Sequence, residues 1–214
     1  TRMIRLDIFS DPVCPWCYLG KTNLDRALET HPDHPFVIEW HPFQLSPQTP
    51  PEGYDRAEYL LRIFGTQKQT VAAHLRLQEL AREAGAEFNF EAIKTTPNTF
   101  DAHRLIHWAG LEGRQAAVVS ALFRGYWREG RDIGRSQVLV DIATECGLDG
   151  AVIGRLLLGD ADSDQIRARE RNAREKGITA VPTFIVADQY ALSGAQPPQL
   201  WGQVIDELAA QGKA

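Results

Sequence analysis

Long apolar runs are missing from this chain of 214 residues, and none approaches the roughly 18 residues a membrane-spanning helix needs. An excess of positive charge is missing too. Lys and Arg number 23 against 28 Asp and Glu, and the net charge of −5 argues against nucleic acid or an acidic membrane surface as the main partner. Cysteine is scarce: three residues, one necessarily odd, do not make the framework of a small secreted disulfide domain. The opening TRMIRLDIFSDP is interrupted by Arg2, Arg5, Asp7 and Asp11, so it does not read as a secretion signal. Internal repeats and low-complexity segments are also lacking. What remains, with 43% hydrophobic and 24% charged residues, is the composition of an ordinary globular protein, expected in the cytoplasm.

Against that background the stretch DPVCPWCY, residues 11–18, stands out. Cys14 and Cys17 could be a dithiol that cycles to a disulfide, half of a metal site, or two small buried side chains. Their surroundings favour the first. Ile4, Leu6 and Ile8 alternate with Arg5 and Asp7 as in a strand with one buried face. Leu24, Ala27, Leu28 and His31 follow at the i, i+3, i+4, i+7 spacing of a helix, which HPDHP stops. Phe36, Ile38 and Trp40 then mark a second strand, predicted to lie parallel to the first.

A C-x-x-C between strand and helix reads as a thioredoxin-like redox motif. Pro15 suits the first helical position and puts Cys14 at the N-cap, where unpaired backbone N–H groups favour a thiolate. Cys17, one turn later on the same side, can attack a mixed disulfide formed on Cys14. Cys14 is therefore expected to be the exposed attacker and Cys17 the buried resolving thiol. The metal alternative would recruit His31 and His34. Some 14 helical residues at about 1.5 Å each would hold those pairs on the order of 20 Å apart, so no metal site is expected.

Beyond the Pro-rich QLSPQTPPEGYD, about 110 residues read as helices broken by Gly and Pro turns. Apolar stripes recur at Leu77, Leu80, Ala81 and Ala84, at Val119, Leu122, Phe123 and Tyr126, and at Leu139, Ile142, Ala143 and Cys146. Trp108, Trp127 and Phe123 read as core, and Cys146 as a core residue rather than a third redox centre. RARERNAREK, 167–176, has a basic balance that could hold the carboxylates of glutathione, but Glu170 and Arg174 at i, i+4 suit an ordinary solvated face better. VPTFIV, a polar turn and YALSG then predict a β-hairpin, and a Pro pair opens a last helix from Pro198 to Ala210. The predicted class is α/β: a thioredoxin-like domain of residues 1–45 and 165–214 carrying a large all-helical insertion, 46–164. Val181–Pro182 opens the returning strand, where trans and cis forms both remain open.

SDPVCPWCYLG, PNTFDAHRL, ITAVPTFIV and SGAQ, in this order, resemble the DsbA-type thioredoxin-fold family, and in particular its cytosolic FrnE-like branch. The resemblance spans essentially the whole chain. It implies thiol–disulfide exchange at Cys14 and Cys17, with Pro15 and Trp16 tuning the potential. It also implies a cis Pro182 facing that pair, with Val181 presenting its backbone to substrate. PNTFDAHRL would bring Asn98, His103 and Arg104 near a substrate groove, although PNT is equally a helix start and His103 could be an interior residue. The sister branch of glutathione-dependent 2-hydroxychromene-2-carboxylate isomerases shares the NT…AHRL pattern but typically has serine where this chain has Cys14. DsbA itself has Pro-His where this chain has Pro15-Trp16, so a strongly oxidising potential does not carry over. Expected partners are thiol- or disulfide-containing proteins or small molecules, with glutathione as a redox partner and no bound cofactor. The alternatives are a glutathione-dependent isomerase or transferase and a non-catalytic chaperone or metal-binding protein.

Overall fold

A computed structural model describes residues 2–212. Strand β1 (Ile4–Ser10) pairs in parallel with β2 (Phe36–Pro42), from Ile4 opposite Phe36 to Ser10 opposite Pro42. On its other side β1 pairs antiparallel with β5 (Thr183–Val186), which continues into β6 (Tyr190–Ser193), giving the order β2-β1-β5-β6. β1 is thus central, with one face buried as its alternation suggests and the other only partly covered, Arg5 being exposed and Phe9 half-buried. Leu6 and Ile8 line one face. Asp7 on the other is buried, its carboxylate compensated by Arg5 and His41, each 2.7 Å away.

Helix α1 (Pro15–Thr30) connects β1 to β2, and α9 (Pro198–Gln211) packs beside it. Trp201 of α9 is wholly buried against Phe184 and Phe36. Gly20 lets α1 approach closely: a Cβ there would lie 3.2 Å from the Pro182 ring and 3.3 Å from Phe184.

Between β2 and β5 the chain is largely helical: α2 (Arg56–Phe64), α3 (Gln67–Ala84), α4 (Phe100–Leu111), α5 (Gln115–Trp127), α6 (Ser136–Glu145), α7 (Gly150–Leu158) and α8 (Ser163–Glu175). The stripes on α3, α5 and α6 face the core as their spacing predicts, with Cys146 half-buried at the end of α6. The architecture is a thioredoxin fold with a helical insertion. The insertion also holds two short strands, β3 (Tyr54–Asp55) and β4 (Thr95–Thr96), paired antiparallel. Two residues per strand are too few to leave an alternating pattern. Among the described residues, no helix is long and apolar enough to cross a membrane.

Because β1 and β2 are parallel and β5 runs against them, the segments leaving β1 and β2 and the one entering β5 gather at one end of the sheet. The motif residues converge there.

Candidate active site

Cys14 is the N-cap of α1 and Pro15 its first helical residue. The Cys17 backbone N–H donates to the Cys14 sulfur at 3.3 Å, so the helix start offers a dipole and a hydrogen bond to a thiolate. Cys14 and Cys17 are free thiols. The Val181–Pro182 peptide is cis, and the Cys14 thiol donates to the Val181 carbonyl at 3.6 Å. CPWC and VPTF, 167 residues apart, thus meet across one sulfur–oxygen contact.

Cys14 is only 2% exposed, against the expectation of an open attacking thiol. The segment entering β5 explains this, because Val181 lies against the sulfur. Trp16, at 44% exposed, is the open residue of the motif and flanks a groove with Leu19, Leu80 and Pro197. Cys17 is buried as expected. Desolvation and the neighbouring Cys14 push its thiol well above the ordinary range, opposed by hydrogen bonds from the Asp11 backbone and the Ser10 side chain.

Asp11, which nothing in its spacing marks, organises the loop before the cysteines. Its carbonyl accepts the Cys14 N–H at 2.9 Å, one carboxylate oxygen accepts the Leu45 N–H at 2.9 Å, and the other lies 3.3 Å from Nε2 of His103. Asp11 and His103 are both almost wholly buried. The Trp127 indole N–H donates to the Pro12 carbonyl at 3.0 Å. Two helices of the insertion, α4 and α5, therefore grip this loop. The Asp in SDPVC was the available signal, but nothing local says that its partner lies 92 residues away.

The three residues of PNTFDAHRL part company. His103 and Arg104 are 3% and 2% exposed, so neither lines an open groove. His103 faces Asp11, while Arg104 turns to the end of α7, donating to the carbonyls of Leu156, Gly159 and Ala161. Asn98 is half-buried. It precedes the N-cap Thr99, accepts the Phe100 N–H and donates to the Thr49 carbonyl.

The basic face of α8 is not merely solvated. Glu170 accepts the Gln44 N–H at 2.6 Å and Arg174 donates to the Gln44 carbonyl at 2.7 Å. The cysteines and His31 lie at opposite ends of α1. The donor groups of Asp7, Glu39 and His41 lie within 4.8 Å of one another, but Arg5 and Arg169 already pair with this cluster.

These arrangements accompany clear similarities. The chain matches the probable DsbA oxidoreductase SCO1869 of Streptomyces coelicolor with 32% identity and a TM-score of 0.86, over 99% of this chain and 91% of that one. Two further structures share the fold. A 2-hydroxychromene-2-carboxylate isomerase is 17% identical with a TM-score of 0.75, over 98% of each chain. The cytosolic disulfide reductase DsbM of Pseudomonas aeruginosa, solved with glutathione, is 19% identical with a TM-score of 0.68, over 96% of this chain and 99% of that one. A sequence profile of the DSBA-like thioredoxin domain matches residues 5–206, and on that match the chain belongs to the DsbA-like thioredoxin family.

Proposed function

We propose that the protein is a thiol–disulfide oxidoreductase or isomerase working through the Cys14–Cys17 pair in the cytoplasm. The observation that carries the reading is the pair itself: two free thiols on one helical turn, the first receiving the Cys17 N–H and facing the carbonyl of a cis Val181–Pro182 peptide.

In the reductive direction, the Cys14 thiolate attacks one sulfur of a disulfide RSSR. The Cys14–S–S–R bond forms and RS⁻ leaves. The Cys17 thiolate then attacks the Cys14 sulfur, closing the Cys14–Cys17 disulfide and expelling the second RS⁻. Two electrons pass from the pair to RSSR, and the two thiol protons end on the two released thiolates. Pro15 and Trp16 bias the potential, and the Val181 backbone positions the substrate chain. Glutathione as the redox partner draws support from the DsbM likeness, as does the cytosolic setting. The isomerase-type alternative, in which Cys14 activates glutathione without being oxidised, draws support from the other shared fold but leaves Cys17 without a role.

The test is the oxidation state of the pair across glutathione redox buffers, read by thiol alkylation and mass spectrometry. A reversible two-electron couple is expected, with its midpoint between about −270 mV, as in thioredoxin, and about −120 mV, as in DsbA. A stable glutathione adduct on Cys14 with no couple would overturn the reading.

Burial sets the pH dependence of the second step. A raised Cys17 pKa keeps the resolving thiol protonated at neutral pH, and its thiolate fraction grows with pH until that pKa is reached. Decay of the Cys14 mixed disulfide, followed by rapid quench, should therefore accelerate about tenfold per unit between pH 7 and 9. Cys17→Ala should hold the adduct at every pH. A rate independent of pH would mean that Cys17 is ionised despite its burial.

A further inference from the structure

On the β2 side of the active-site end lies a cleft of about 350 Å³ between α8, the segment after β2 and the start of α4. Arg167, Arg171 and Arg174 stand at i, i+4 and i+7 on the face of α8 that lines it, opposite Gln44, Asn98 and Phe100. Two of the guanidinium groups are held by aromatic faces, Arg167 over Phe100 at 4.6 Å and Arg174 over Phe43 at 4.1 Å. The one acid in the cleft, Glu170, is engaged by the Gln44 N–H. Among the described residues, Arg171 and Arg174 pair with no carboxylate. Arg167 reaches only the fully exposed Asp164, at 3.8 Å. Three cations against one anion leave this cleft positive on a chain whose net charge is −5.

The cleft adjoins the cysteines through its own wall. Arg174 donates to the Gln44 carbonyl, the next residue's N–H donates to Asp11, and the Asp11 carbonyl accepts the Cys14 N–H. Counted from Arg174, at about 3.8 Å per residue and a hydrogen bond for each crossing, the span is on the order of 10–15 Å, comparable to an extended tripeptide, and Arg171 and Arg167 stand about one and two helical turns back along α8. We propose that this cleft is an anion subsite that seats a carboxylate of a small acidic disulfide while its sulfur reacts at Cys14. The proposal rests on the oxidoreductase reading. The balance is that of exchange: protein dithiol plus RSSR gives protein disulfide plus two RSH. The arginines act only on the carboxylate, for which planar guanidinium groups offer paired donors.

The test compares oxidation of the reduced protein by glutathione disulfide and by its tetraethyl ester, which keeps the skeleton and the ammonium groups but neutralises every carboxylate. Arg167→Gln and Arg171→Gln should each slow the reaction with glutathione disulfide by about tenfold, roughly the loss of one charge-assisted contact. Both should leave the ester within about twofold of the unsubstituted protein, and Arg171→Lys should recover part of the loss. Raising the salt should shrink the difference that Arg167→Gln and Arg171→Gln make with the acidic disulfide. Equal effects on acid and ester, or no effect on either, would overturn the subsite and leave the exchange chemistry standing. Failure of the unsubstituted protein to react with either disulfide would overturn the oxidoreductase reading and the subsite with it.

Discussion

Cys14→Ser should abolish disulfide exchange, lowering the rate at which the protein reduces a model disulfide by at least about 10³-fold, the scale expected when a nucleophile is removed. A serine hydroxyl at the α1 N-cap can still accept the Cys17 N–H, so the fold should persist while the reactive sulfur is lost. Cys17 cannot take over. It is 1% exposed, and its thiol is held protonated by burial, whereas Cys14 sits at the helix N-terminus with a donor aimed at its sulfur. Reduction of a fluorescent mixed disulfide, followed with matched thermal melts, separates lost chemistry from lost structure. A Cys14→Ser protein that keeps a tenth or more of the rate would place the exchange elsewhere. Chaperone activity surviving in that variant would favour the non-catalytic alternative.

Arg104→Met should be strongly destabilising, costing roughly 2–4 kcal/mol of folding stability. The Arg104 side chain is 3% exposed, and its guanidinium donates to the Leu156, Gly159 and Ala161 carbonyls and to Asp101 while stacking on Trp108 at 4.9 Å. Those carbonyls lie at and just beyond the end of α7, where helical partners run out and the dipole is negative. Methionine fills similar volume but leaves them without a donor. Against a typical total of about 5–15 kcal/mol the loss is large. Arg104→Lys should fall between, since a point charge cannot reproduce the fork. Urea unfolding reads the difference, and a change below about 0.5 kcal/mol for Arg104→Met would show that these bonds add nothing net.

Arg104 also marks where sequence reasoning stops. CPWC and VPTF are legible because their chemistry is local: Pro15 sets a helix start, and a proline can open a strand without disturbing its ladder. The stripes on α3, α5 and α6 are legible because burial on one face leaves a period. His103 and Arg104 leave none, because α4 is buried on most of its faces and a polar residue there looks like one facing a groove. α8 is legible only in part, for its arginines at 167, 171 and 174 are exposed as a solvated face predicts. Its charges at i, i+4 suggest water, yet Glu170 and Arg174 reach back to Gln44, 126 and 130 residues earlier. Only the closed tertiary structure brings such partners together, as it brings Val181 over Cys14.

The grip of α4 and α5 on the loop before Cys14, through His103–Asp11 and Trp127–Pro12, bears on how the molecule opens. Parting the helical insertion from the sheet breaks the His103–Asp11 and Trp127–Pro12 contacts, so the two are expected to open as one cooperative unit. Swapping the insertion between relatives would then alter the reactivity of the cysteines, because the ceiling and the floor of the redox site are one construction.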